Sequence, residues 1–441
     1  MKARDTAVTA LLKIQEQGGY SNIILDEMLG RTELSDVDRA FASRLLYGVT
    51  ERRLTLDYLL NNTSSTPVKQ MDAAVREILR VGAYQLVYMD KIPPFAAINE
   101  AVGQTRTFGC GRLSGFVNGV LRQIQRGYGK LLSDLPNTDK GLEIRYSVPR
   151  AWIRLWREAY GDEVLQGVLD SVNDAPPSYL RVNTCVTTTE AFCRQLEQAG
   201  ITYTLVSGLP DAVCVASVHT LPDALENHFY FQDLASQWCC FALGAQPGER
   251  IADVCSAPGG KTMTVAQYMH NDGQIVAGDV HDHKCRVMTQ RVARYGLTCI
   301  SVRQRDASQS PATEEIGAYD RVICDVPCSG LGVIRRKPEI RYKRPDEFAD
   351  LPALQLQILQ QAARMVKPGG VLQYSTCTLR PEENEAVAAA FLVENPDFLP
   401  RNLPLDTCFE QSNLPISHQI TLFPHIHGSD GFYMAGFVKT I

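Results

Sequence analysis

The chain lacks the cysteine spacings that mark a disulfide framework or a zinc site. Its 13 cysteines are an odd number and no two are spaced CxxC, so neither scaffold is implied, no metal is expected, and a reducing cytoplasm is the natural compartment. It also lacks a long apolar run. The longest uncharged stretch, Gln411 to Ser429, contains Pro and His and is too polar to span a bilayer. The opening, MKARDTAVTALLKIQEQ, follows an amphipathic helix pattern without the apolar core of a signal peptide. No membrane role is expected, and 441 residues are enough for two or three domains with full-sized cores.

A basic balance is missing as well: the net charge is −5. That average hides an asymmetry. Residues 1–130 carry 17 Lys and Arg against 13 Asp and Glu, and the remainder carries 27 against 36. The segment RRKPEIRYKR packs Arg335, Arg336, Lys337, Arg341, Lys343 and Arg344 into ten positions. Screening limits each charge to about 10 Å, so phosphate binding depends on such local clusters. These six residues are therefore the candidate RNA-binding positions, although a solvated loop face would look the same.

Three parts are expected. Residues 1–130 show helical periodicity over 2–16, 36–60, 68–89, 95–107 and 113–126, which reads as an all-α bundle. From 131 to 245 the pattern is mixed: a linker LPNTDKGLEIRYSVP, two short helices, then strand, helix, strand, strand. A capping box at Thr187 with Glu190 opens that helix, and the whole reads as a small α+β domain. From 246 to 441 strands and helices alternate, the signature of a mostly parallel α/β sheet.

Ligands of such sheets bind outside the carboxyl ends of the strands. Read in order, those ends carry the segment Cys255, Ser256, Ala257, Pro258, Gly259, Gly260, Lys261, then Asp279, Asp306, Asp325 with Cys328, and Cys377. Gly259 and Gly260 let a ligand approach the backbone. Asp279 closes the second strand, where an acid accepts hydrogen bonds from ribose hydroxyls, and Asp306 closes the third. The turn is neither GxGxxG nor a P-loop. An adenosine-containing cofactor without a demanding pyrophosphate site fits best; S-adenosylmethionine leads and NAD is the alternative.

Two thiols beside such a site invite covalent chemistry. Carbon-5 of cytosine is too poor a nucleophile to take a methyl group from a sulfonium unaided. A thiolate adding at carbon-6 turns the ring into an enamine and makes carbon-5 reactive. Asp325, three residues before Cys328, is placed to hydrogen-bond the ring. A free cysteine is more often a small buried hydrophobe, and that reading covers most of the other eleven.

With CSAPGGKT (255–262), DVPCSGLGVIRRKPEIRYKR (325–344) and STCTLRPEEN (375–384), the chain resembles the NOL1/NOP2/Sun family of RNA cytosine-5 methyltransferases, in its bacterial branch acting on 16S ribosomal RNA. IPPFAAINEAV (92–102), FVNGVLRQ (116–123) and FQDLASQ (231–237) support the match. The resemblance implies a Rossmann-like S-adenosylmethionine methyltransferase domain over 246–441, preceded by an all-α NusB-like domain over 1–130. It places cofactor binding on Cys255 through Lys261, Asp279, Asp306 and Asp325, with Lys261 and Asp325 also grouped with the catalytic residues. It makes Cys377 the nucleophile and Cys328 the residue that assists release, whereas analogy with DNA cytosine-5 methyltransferases would choose Cys328 for attack. The implied partner is 16S ribosomal RNA, and a monomer is expected. Val326 and Ser256 stand where the family usually has Ala, and Phe95 where it usually has His.

Overall fold

The computed structural model describes residues 2–17, 21–30, 32–216, 221–409 and 417–440; positions 411–416 of the long uncharged stretch lie outside them. The chain divides into two compact units, Met1–Asp174 with Ile334–Arg344, and Ala175–Val333 with Pro345–Ile441.

The first unit is helical. Its described helices are Ala3–Gln17, Ser21–Gly30, Asp36–Glu51, Arg53–Thr63, Ala73–Tyr88, Pro94–Thr107, Ser114–Ser133, Asp139–Tyr146 and Arg150–Ser171. Local chemistry sets several starts. Ser35 accepts from Asp38 N, Asp72 accepts from Ala74 N and Val75 N, and Pro94 occupies a first-turn position. Leu45, Leu46, Leu56, Leu59, Ile78, Leu79, Leu121 and Ile124 form the buried centre.

Two expectations change here. The run 36–60 breaks at Arg52 into two helices. The expected linker 135–149 holds the helix Asp139–Tyr146: Thr138 caps it, Leu142 and Ile144 are buried, and Ser147 ends it in a left-handed conformation. Its polar residues are a cap and a first turn rather than a solvated spacer, so the helical unit continues past 130 to Asp174. The two short helices expected next are present within Arg150–Ser171, separated by a break at Gly161 with φ 81°.

The second unit contains two sheets. β1 (Ser178–Val182), β2 (Tyr203–Val206), β3 (Leu209–Val215) and β4 (Phe229–Phe231) form an antiparallel sheet in the order β2-β3-β1-β4. The helix Thr189–Gln198 buries Phe192, Cys193 and Leu196. Its cap is Thr188, which accepts from Ala191 N, one residue later than the expected Thr187. Arg181, fully buried on β1, is satisfied by Gln267 Oε1, Tyr268 OH and Asp211 Oδ2.

The larger sheet comprises β5 (Arg250–Asp253), β6 (Gln274–Asp279), β7 (Ile300–Gln304), β8 (Tyr319–Asp325), β9 (Val366–Thr376), β10 (Phe398–Pro400), β11 (Gln419–Leu422) and β12 (Phe432–Lys439). Its order is β10-β12-β9-β8-β5-β6-β7, with β11 on β12. β5 to β9 pair in parallel, and β12 runs antiparallel to β9. Ala252, Val322, Cys324, Leu372 and Tyr374 bury this sheet's interior, which is why these strands read as continuous apolar runs. The chain runs outward from β5 to β7, then resumes on the other side of β5 with β8. The crevice for a ligand lies at that reversal.

Candidate active site

Past β5 the backbone leaves the sheet and is tied to the neighbouring strand: Ser256 N and Ser256 Oγ both donate to Gly278 O, at 2.8 and 2.9 Å. Gly259 then takes φ +97°, and a Cβ there would meet Met288 Cγ at 2.9 Å. Both facts require glycine, and the turn opens the helix Gly260–Tyr268.

Two adjoining clefts follow this edge. One, of about 480 Å³, is lined by Cys255, Ala257, Asp279, Asp306, Asp325, Cys328 and Cys377 among others. The other, of about 220 Å³, is lined by Ser256, Pro258, Gly260, Lys261, Asp253 and Asp325 among others. Of the expected cofactor positions only Gly259 lines neither; it lies beneath the turn, against Met288. Asp279 accepts from His281 N at 2.9 Å. The exposed Asp306 accepts from Ser308 Oγ at 2.6 Å and Ser308 N at 3.0 Å, which holds its carboxyl below the usual range.

Lys261 and Asp325 meet at 2.6 Å. Burial works against the Lys261 ammonium, but the Asp325 carboxylate outweighs it and raises the lysine above its ordinary value. The second Asp325 oxygen accepts from Ser375 Oγ at 2.8 Å, so this carboxylate is held between the helix Gly260–Tyr268 and β9, and it lines both clefts.

The two thiols converge. Cys328 Sγ and Cys377 Sγ lie 3.3 Å apart. The hydrogen bond with Cys377, then burial, pushes the Cys328 thiol well above its ordinary value. Cys324, one strand position from Asp325, is fully buried and is the structural cysteine of this motif.

The basic run behaves differently. Ile334–Arg344 belongs to the helical unit. Arg341 is fully buried there and donates to Glu51 O, Val172 O, Ile334 O and Asn173 Oδ1, while its own carbonyl accepts from Trp152 Nε1. It is an anchor of the bundle, not a phosphate contact. Arg335 is buried, Lys343 half-buried, and Arg336, Lys337 and Arg344 are exposed.

Sequence reasoning missed Asp253, the last residue of β5. It is buried and accepts from Thr262 Oγ1 at 2.6 Å; its other oxygen has no hydrogen-bond partner among the described residues. Burial pushes this carboxyl up to about 7. The signal available was an acid at the end of an otherwise apolar strand. Among the described residues no cluster of His, Cys, Asp or Glu is arranged to hold a metal ion.

A unpartnered buried oxygen, a glycine turn that admits a ligand to the backbone, and acids at the ends of β6 and β8 fit an adenosine-type cofactor carrying a cationic amino-acid end. Comparison with known proteins agrees with this architecture. The family model of the 16S rRNA methyltransferase RsmB/F matches residues 240–438, that of the NusB family residues 1–126, and that of the associated ferredoxin-like domain residues 148–220. A relative from Synechocystis, called "Probable ribosomal RNA small subunit methyltransferase B", is 34% identical over 100% of both chains. One from Bacillus subtilis with the same designation is 35% identical over 99% of this chain and 98% of its own. Ribosomal RNA small subunit methyltransferase B of Salmonella arizonae is 33% identical, again over 99% and 98%. Among solved structures, a methyltransferase homologue from Pyrococcus horikoshii shares 25% identity over 69% of this chain and 100% of its own, with a TM-score of 0.58. NSun6 from the same organism, solved with SFG, has a TM-score of 0.59 at 20% identity, covering 66% of this chain and 98% of its own.

Proposed function

Since this chain belongs to the 16S ribosomal RNA methyltransferase RsmB/F family, we propose that it methylates carbon-5 of a cytidine in small-subunit ribosomal RNA, with Cys377 as the attacking thiol and Cys328 assisting release. The observation that carries this reading is the 3.3 Å approach of the two sulfurs on the cleft that also holds Asp279, Asp306 and Asp325.

The residues of the turn 255–261 with Asp279, Asp306 and Asp325 would hold S-adenosylmethionine, which supplies a methyl group on a sulfonium. The protein's own groups do the rest. Cys377 as thiolate adds to carbon-6, and its electron pair moves the ring's density onto carbon-5. Asp325, fixed by Lys261 and Ser375, is placed to accept from the base's exocyclic amine. Cys328 is the thiol held protonated by its neighbour, and a protonated thiol is the poorer nucleophile of a pair. Once the Cys377 sulfur is tied up as a thioether, that restraint on Cys328 is lifted. Cys328 then gives up its own proton to solvent and, as thiolate, takes the carbon-5 proton; the electron pair of that carbon–hydrogen bond restores the 5,6 double bond, and the carbon–sulfur bond breaks to return Cys377 as thiolate.

The exposed Arg336, Lys337 and Arg344 supply phosphate contacts to the substrate in this reading. The test is methylation of naked small-subunit ribosomal RNA by the purified protein, with 5-methylcytosine mapped by bisulfite sequencing. One modified cytidine on that RNA, and none on duplex DNA, supports the proposal. Methylation at another atom of the base, or on DNA alone, contradicts it.

A further inference from the structure

Glu383 and Asn384 are adjacent, have no solvent exposure, and brace the two cysteine loops separately. The peptide groups on both sides of Cys328 are held. Ser329 N donates to Glu383 Oε2 at 2.9 Å, and Pro327 O accepts from Gln355 Nε2 at 2.9 Å. The same Gln355 amide donates to Glu383 Oε2 at 2.9 Å, so one carboxylate and its amide partner close the Pro-Cys loop. Glu383 is itself fixed: Oε1 accepts from Arg380 Nη1 at 3.0 Å, and its carbonyl accepts from Tyr374 OH at 2.6 Å.

Cys377 is bracketed by the next residue. Asn384 Oδ1 accepts from Thr376 Oγ1 at 2.5 Å, and Asn384 Nδ2 donates to Thr378 O at 3.0 Å. The loops touch again where Ser329 Oγ meets Thr378 Oγ1 at 2.7 Å. A fully buried carboxylate persists only where donors take up its lone pairs. Here two of the three donors to Glu383 belong to the Cys328 loop or to the residue that holds it, and none reaches the Cys377 peptide.

We infer that Glu383 is a positioning residue for the release step: it sets Cys328 against the base held on Cys377, while Asn384 braces Thr376 and Thr378 on either side of the attacking cysteine. The inference rests on the division of roles proposed above. It follows that loss of Glu383 separates release from attack. The carboxylate also adds its field to the causes that keep Cys328 protonated, so its removal moves the pH dependence of release towards lower pH.

The experiment uses the full-length protein and two RNAs. With Glu383→Gln, which keeps the side chain's shape but not its charge, adduct formation on RNA carrying 5-fluorocytidine at the target should stay within about threefold of the parent. Turnover on natural RNA should fall about tenfold or more, since a small misplacement of a reacting group has such effects. A covalent protein–RNA complex should accumulate, as with Cys328→Ala. Gln355→Leu removes the donor to the Pro327 carbonyl and one donor to Glu383 Oε2 but leaves the carboxylate itself in place; it should show the same split in smaller measure, so the inference does not hang on one variant folding. A parallel loss of adduct formation and turnover in both variants, or unchanged release, overturns it. If Cys328→Ala itself accumulates no complex, the proposed division of roles is what has failed, and the inference falls with it.

Discussion

Cys328 Sγ lies 3.3 Å from Cys377 Sγ, although the two residues are 49 positions apart and belong to loops that follow different strands. β8 and β9 are parallel neighbours, with Asp325 paired to Ser375. Two loops leaving adjacent parallel strands at the same level bring their second or third residues together. The thiol pair is thus a product of strand order rather than of any sequence spacing.

That proximity has a redox consequence. Closing a disulfide from this distance requires the sulfurs to approach to about 2.05 Å. Two thiols and one hydrogen peroxide would give a disulfide and two waters. Brief treatment with peroxide should therefore remove two mass units and all methylation, and dithiothreitol should restore both. Intact-mass spectrometry with peptide mapping checks this; inactivation without a Cys328–Cys377 cross-link would contradict it.

Asp253 makes stability depend on pH in a definite direction. Burial raises its folded-state value to about 7, above an unfolded value near 3.9. The folded protein then binds the proton more tightly, so this contribution is complete below pH ~4 and is lost as pH rises towards 7. Asp253→Asn keeps an acceptor for Thr262 and cannot ionise. Without cofactor, the melting temperature of the variant relative to the parent should rise between pH 5 and pH 8. A difference that does not change with pH would mean that Asp253 is not the titrating group.

Much of this site was legible in order. The strands announce themselves as apolar runs that end in an acid or a cysteine, and β5 to β9 require their ligands to collect on one edge. What stayed hidden was burial of polar groups. Arg341 looks no different from Arg336 in a run of basic residues, because charge counts cannot tell a solvated guanidinium from one spent on carbonyls. Thr138 and Asp139 read as linker for a related reason: a cap and a first turn have the composition of a loop. Glu383 and Asn384 were visible as part of a motif, but only their geometry gives each its own cysteine.

The basic segment can be dissected on that distinction. Arg341→Met leaves Glu51 O, Val172 O and Ile334 O short of a buried donor, and should cost about 3 kcal/mol or more in stability. Arg336→Ala with Lys337→Ala should leave the melting temperature within a degree or so, since exposed substitutions cost little, yet weaken RNA binding and flatten its dependence on salt. Thermal melts and binding titrations at several salt concentrations check both halves. Equal destabilisation by the two sets would contradict the assignment.

The division of labour between the thiols is the centre of the account. RNA carrying 5-fluorocytidine at the target position tests it most directly, because fluorine cannot leave carbon-5 as a proton and the carbon-6 bond to sulfur survives denaturation. The account predicts a stable protein–RNA adduct with the parent protein and with Cys328→Ala, and none with Cys377→Ala. An adduct that persists in Cys377→Ala and vanishes in Cys328→Ala would reverse the two roles.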